Sequence, residues 1–185
     1  MVDEILLEAE ERMEKAIDSL NEVFSTVRTG RANAMLLDKI CVDYYGVPTP
    51  INQMAGIKTP DAHMLVIEPW DKGVLRAIEQ AIVASNLGVT PSNDGNVIRL
   101  PFPMLTEERR RELAKQCKEY SEEGRVAVRN ARRDANSAID KEEKNEGLPE
   151  DDARRAKDQV QKLTDRYIGM VEEAYKKKEA EVMAI

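Results

Sequence analysis

The chain has 185 residues, enough for one good core or two small ones. Its charged fraction is high (34%) and its aromatic fraction only 4%, a profile that favours long helices over a sandwich or barrel. A net charge of -7 and a pI near 5.0 exclude indiscriminate nucleic-acid binding over the whole surface, but not a local basic face.

The N-terminal stretch MVDEILLEAEERMEK is acidic and amphipathic. It lacks the basic start and apolar core of a signal or transit sequence. No apolar run approaches the roughly 18 residues of a membrane helix. A soluble, cytoplasmic protein with no membrane partner is expected. Cys41 and Cys117 lie far apart and read as reduced, small buried hydrophobes rather than a disulfide.

In the first helical segment Leu6, Ala9, Met13, Ala16, Leu20, Val23 and Val27 alternate by three and four positions, the pattern of a helix–helix seam. Residues 30–105 break that pattern. Lys39 to Tyr45 reads as a strand ended by Gly46-Val47-Pro48-Thr49-Pro50, with further strands at Ile51 to Ile57 and His63 to Ile67. Asp71 can cap a helix with apolar Val74, Leu75, Ile78, Ile82 and Val83, ending near Asn86-Leu87-Gly88. Turn signals from Pro91 to Asn96 precede a last strand, Val97 to Leu100.

A second long helix follows. Thr106 can cap it, and Glu107 and Glu108 suit the positive end of its dipole. Its expected seam is Leu113, Cys117, Tyr120, Gly124, Ala127, Ala131, Ala135 and Ala138, with Gly147 as the stop. The third starts at Pro149, with Glu150, Asp151 and Asp152 in its first turn; dipole compensation explains that acidic cluster better than a metal does. Its expected seam is Ala153, Ala156, Val160, Leu163, Tyr167, Met170 and Ala174.

The expected class is therefore α+β: a long antiparallel three-helix bundle from residues 1–29 and 106–185, with a small β/α/β domain, residues 30–105, inserted between its first two helices. At ~1.5 Å per residue, a helix of about 40 residues makes the bundle a rod about 60 Å long. Two connections join the insert to the rod, one at Thr29, Gly30 and Arg31, the other near residues 101–105, including Pro103, Met104 and Leu105. Paired short linkers define a hinge, with Gly30 supplying freedom and the prolines limiting it.

Nothing in the chain reads as catalytic. Neither nucleotide-binding glycine motif occurs, and no cofactor is implied. His63, the lone histidine, has no Cys or second His at ligand spacing, and no serine sits in a nucleophile elbow.

The segment GRVAVRNARRDAN, residues 124–136, places Arg125, Arg129, Arg132 and Arg133 close together without an intervening acid. On a helical wheel these four span roughly 100°, with the apolar seam centred about 110° away from Arg125. Glu112, Glu119, Glu123 and Asp134 gather in a third sector, while Glu122 interrupts the basic one. Ordinary exposed helices intermix charges and gain i,i+4 pairs, so this segregation asks for a reason. Arginine forks bind phosphate oxygens bidentately and stack on bases, which suits structured RNA. An acidic protein partner, reached as a coiled-coil adaptor, and an uninvolved surface remain open at this point.

The chain resembles the ribosome recycling factor family along its whole length. The resemblance rests on six ordered motifs: Val27 to Ala32 (VRTGRA), Val42 to Pro50 (VDYYGVPTP), Ala81 to Gly88 (AIVASNLG), Leu105 to Arg110 (LTEERR), Arg125 to Asp134 (RVAVRNARRD) and Val160 to Asp165 (VQKLTD). It implies an L-shaped molecule of roughly transfer-RNA dimensions with a flexible elbow. It also implies a monomer that binds the ribosome after termination, its bundle on large-subunit (23S-type) ribosomal RNA. With elongation factor G and its GTP hydrolysis, such a factor splits the subunits and frees messenger and deacylated transfer RNA. The family's RNA-contacting arginines fall on Arg132 and Arg129, then Arg28, Arg31, Arg110 and Arg133. Its small domain faces the translocase, and here that surface would include the Tyr44 to Pro50 turn.

Overall fold

The computed structural model describes residues 1–184. They divide into two compact units, one formed by Met1–Arg28 with everything from Glu107 onward, the other by Thr29–Thr106.

The first unit is three helices: α1 (Val2–Thr26), α3 (Glu107–Asn145) and α4 (Glu150–Met183). Gly147, at φ +75, occupies the left-handed region that ends α3, and the Leu148 amide closes back on the Glu142 carbonyl at 3.2 Å. The chain then reverses into α4, whose first turn carries Glu150, Asp151 and Asp152. Glu150 and Asp152 there pair with Arg154 and Arg155 on the same helix. Contacts fix the directions. Arg12 of α1 meets Asp134 of α3 at 2.8 Å, and Leu20 faces Gly124, so α1 and α3 are antiparallel. Tyr167 of α4 donates to Glu14 of α1, and Ala9 packs in one cluster with Ala153, Ala156 and Val160, so those two helices run parallel.

The buried stripes differ from the expected seams in the same way on all three helices. On α1 the buried positions are Ala9, Met13, Ile17, Leu20 and Phe24, continued by Val27; Ala16 and Val23 are only half-buried. On α3 they are Leu113, Cys117, Ser121, Gly124, Val128, Ala131, Ala135 and Ile139, whereas Tyr120 and Ala138 are half-buried and Ala127 is exposed. On α4, Thr164 and Val171 replace Leu163 and Met170. The cause is the period. A strict alternation of three and four assumes ~3.5 residues per turn, the geometry of a supercoil. These helices step by four more often than by three, nearer the ~3.6 of a straight α-helix. Buried Ser121 and Thr164 lose no hydrogen bond, because their hydroxyls donate to the carbonyls of Lys118 and Val160.

The second unit holds β1 (Cys41–Tyr44), β2 (Val47–Pro50), β3 (Ala55–Asp61), β4 (Met64–Pro69), α2 (Leu75–Ala84), β5 (Ser92–Asn93) and β6 (Ile98–Pro101). β1 and β2 form a hairpin, and the other strands an antiparallel sheet in the order β3-β4-β6-β5. Val47–Pro50, expected as a breaker, is therefore a strand, because Tyr45-Gly46 makes the turn; its prolines sit on a two-stranded ribbon. Ile51–Gln53 is a short 3-10 turn rather than strand, and β5 lies inside the expected turn region. Alternation buries Leu65 and Ile67 of β4 with Ile98 and Leu100 of β6, against Leu75, Ile78 and Ile82 of α2. Val83 points outward instead. Asp71 caps the short 3-10 turn Lys72–Val74 that leads into α2, accepting from the Gly73 amide at 2.9 Å, whereas α2 itself begins without a side-chain cap. Cys117 is buried as expected, but Cys41 is exposed, and both are free thiols.

The two ends of this unit are tied together by the Ala62-His63 turn. Ala32 donates to the Ala62 carbonyl at 2.8 Å, Phe102 to the His63 carbonyl at 2.7 Å, and the His63 Nδ1 lies 3.1 Å from the Gly30 carbonyl. Since that partner is an acceptor, the imidazole must carry its proton on Nδ1. Gly30 has φ +72, and a Cβ there would sit 3.0 Å from Leu105 Cγ. The glycine is thus required for a left-handed turn and a close approach, not only for freedom. Gly30→Ala should lower stability by about 1–2 kcal/mol. Adding Leu105→Ala should relieve the steric part of that loss and leave the backbone part, a double-mutant cycle read by denaturant midpoints.

Tyr167 and Tyr175 both have pKa values pushed up to about 12, the first chiefly by burial and then by Glu14 and Glu10, the second chiefly by its hydrogen bond to Glu179. The unfolded phenols ionise near 10, so the unfolded state loses protons first as pH rises. Their contribution to stability is complete below pH 10 and disappears between about pH 10 and 12. A chemical-denaturation series across that window should show the decline, and Tyr167→Phe should reduce it, leaving the part due to Tyr175.

Candidate nucleic-acid interface

The arginine segment lies in the middle of α3, and the corrected buried stripe decides where each side chain points. With Val128, Ala131 and Ala135 turned inward, Arg129, Arg132 and Arg133 fall on the open side. All three line one shallow depression, with Val126, Asn130, Asn136 and Ser137 between them. Arg129 has no hydrogen-bond or ion-pair partner among the described residues. Arg132 reaches only Gln161 of α4, at 3.4 Å, and Arg133 only Asn130, at 2.8 Å. The carboxylate at the edge of the depression, Asp140, is already neutralised by Lys157 at 2.5 Å. The result is a set of charged donors whose only partners are neutral.

Arg125 corrects the expectation of a fourth member. Its side chain is 13% exposed and bridges Glu122 on its own helix and Glu172 on α4, with Ser121 Oγ at 3.5 Å. It sits beside the buried Ser121 and Gly124 rather than across from them, so its charge is spent holding α3 to α4. Two carboxylates already satisfy it, and it leaves the open row.

The other basic positions are dispersed. Arg110 lies in the first turns of α3, roughly 28 Å from Arg129 along the axis at ~1.5 Å per residue. Its Nε is buried without a hydrogen-bond partner. Its neighbours Arg109 and Arg111 pair with Glu112 and Glu107. Arg28 is exposed at the end of the bundle unit, and Arg31 is exposed in the small unit. Of the connecting residues, Thr29, Gly30 and Leu105 are half-buried, whereas Pro103 and Met104 are exposed.

Sequence reasoning missed Gln161 and Glu172. Both lie on α4; Gln161 stands in the Val160 to Asp165 motif without a role assigned to it, Glu172 carries no local signal, and each matters only because α4 folds back along α3. Asn130 and Asn136 stand inside the quoted segment, but amides give no charge to notice. The Asn136 Oδ1 is buried without a hydrogen-bond partner. Among the described residues there is no group of His, Cys, Asp and Glu arranged to hold a metal ion, and no helix long and apolar enough to cross a membrane.

The model of one protein family, ribosome recycling factor, matches residues 20–183. A ribosome-recycling factor from Geobacillus thermodenitrificans (strain NG80-2) is 57% identical over 185 residues, covering all of both chains. One from Oleidesulfovibrio alaskensis (strain ATCC BAA-1058 / DSM 17464 / G20) is 53% identical over 184 residues, again covering both. Among solved structures, a ribosome recycling factor in solution superposes with a TM-score of 0.79 at 42% identity, covering 100% of this chain and 98% of that one. A T. thermophilus ribosome recycling factor, from models with E. coli elongation factor G bound to the E. coli post-termination complex, gives 0.64 at 41% identity over the full length of both chains. Family model, relatives and fold agree over essentially the whole sequence: the chain belongs to the ribosome recycling factor family.

Proposed function

We propose that the chain recycles post-termination ribosomes in the cytoplasm, as a monomer, by docking the open arginine row of α3 onto large-subunit ribosomal RNA. Arg129, Arg132 and Arg133 make the central contacts, and Arg28, Arg31 and Arg110 extend them. Elongation factor G supplies the energy through GTP hydrolysis and acts on the small unit, residues 30–105. The bundle, residues 1–29 and 106–185, carries that force to the junction between subunits, and messenger and deacylated transfer RNA leave when the subunits part. The factor itself catalyses no reaction. Its connecting segments, Thr29 to Arg31 and Pro103 to Leu105, act as the hinge.

One observation carries this reading. Along α3, Arg109, Arg111 and Arg125 face carboxylates, whereas Arg129, Arg132 and Arg133 face only amides or solvent. Their charge is left for an external anion, and a phosphate backbone offers a row of them in bidentate geometry. The acidic remainder of the surface opposes binding elsewhere.

Arg132→Ala should weaken binding to large ribosomal subunits by about 1–3 kcal/mol and leave the thermal midpoint unchanged. It should also reduce the slope of log affinity against log salt by about 0.7–0.9, one phosphate contact. Arg125→Ala should do the reverse, lowering the midpoint while sparing the slope. A shallow slope for the parent protein, or no binding to large subunits at all, would instead favour an acidic protein as the partner of this face.

A further inference from the structure

The small unit exposes three large apolar side chains: Tyr45 is 80% exposed, Trp70 72% and Val47 61%. Tyr45 and Gly46 form the turn of the β1–β2 hairpin, with φ of 50 and 86. Positive φ at both central residues is the geometry for which Asn-Gly is preferred. A tyrosine in the left-handed region is strained, and its exposed ring recovers nothing by burial. Local preference and solvent exposure both argue against tyrosine at this position, and the chain's own packing gives it no return, which leaves an intermolecular use.

The ring is also oriented. The Tyr44 and Tyr45 rings meet edge to face with centroids 4.6 Å apart, and the Tyr45 hydroxyl donates to Asp71 Oδ2 at 3.3 Å. Asp71, bonded to the Tyr45 hydroxyl, directly follows the exposed Trp70 in the chain. That carboxylate also accepts from Gly73, and Asp43 accepts from Gly46 at 2.8 Å. Neither aspartate has a cationic partner among the described residues. The nearest lysine in sequence, Lys72, is turned to Asn96 at 2.8 Å. The negative field is felt by the phenol, whose pKa is raised, foremost by Asp71.

Aromatic faces beside unneutralised carboxylates select a cation. Platforms for single-stranded nucleic acid pair their aromatics with a basic groove, and here the flanking charge would repel phosphate. A purely apolar partner would leave both aspartates facing a surface with nothing to offer them. A guanidinium answers both features, stacking on the rings and forking onto the carboxylate, and aromatic residues are the usual anchors of protein interfaces. We propose that the face around Tyr45 and Asp71, next to exposed Trp70, is a protein-docking surface that receives an arginine side chain of its partner on the Tyr45 ring and the Asp71 carboxylate. It rests on the reading above that a protein partner acts on the small unit, and its test is separate from that of the arginine row on α3, so the two can fail independently.

Trp70 is the only tryptophan, so intrinsic fluorescence reports directly on this face. The full-length protein is titrated with a short peptide of alternating Arg and Ala, with its Lys counterpart, and with a single-stranded oligoribonucleotide. The expected result is a saturable change with the Arg peptide that is weaker by about tenfold or more in Tyr45→Asn and in Asp71→Asn. Tyr45→Asn keeps a residue suited to the turn, so its thermal midpoint should equal or exceed the parent's. An equal response from either variant overturns the proposal. So does equal binding of the Lys peptide, or a saturable response to the oligoribonucleotide. A lowered midpoint for Tyr45→Asn would make the ring a structural element and remove the argument from strain.

Discussion

The structure depends on the burial of one face of α3 against two helices at once. That face begins at Leu113 and ends at Ile139, and at Gly124 the backbone comes within reach of Leu20 on one side and Val171 on the other. Once these positions are inward, every other side chain on α3 has its direction assigned. Arg125 falls next to the seam and is captured by Glu172. The three later arginines fall clear of it. Packing therefore sorts one run of like charges into a structural member and a free set, with no other instruction from the chain.

The same logic explains how much was legible in the sequence. The existence of three long helices, the inserted unit and the stop at Gly147 could be read because periodicity and glycine chemistry are local properties. The identity of the buried residues was off by one position at several points, because a heptad template imposed a twist that straight helices do not have. Ile17, Phe24, Val128 and Ile139 were passed over in favour of neighbouring alanines and Val23. The charged residues followed: an error of one step on the wheel is enough to place Arg125 on the wrong side. In the small unit, Pro48 and Pro50 concealed a strand, since proline signals a break and a two-stranded ribbon tolerates it.

Partners contributed by distant segments were not legible. Glu172, Gln161 and the Asp134–Arg12 pair depend on which helix lies beside which, and a linear pattern holds no such information. His63 shows the same difficulty from another direction. As a lone histidine it invited a search for metal or catalysis, and its position instead gives it a carbonyl at the end of the first connection.

The tie at Ala62-His63 has a consequence for the energetics of folding. For the bundle, the 78 residues from Thr29 to Thr106 are formally one loop between α1 and α3. Left unstructured, a loop of that length would cost about 2 kcal/mol more to close than one of a few residues. Once folded, the small unit holds Ala32 and Phe102 against adjacent residues of a single turn, and its entry and exit leave side by side. A long insertion thereby behaves as a short reverse turn, and the bundle's cohesion draws on an element outside its own core.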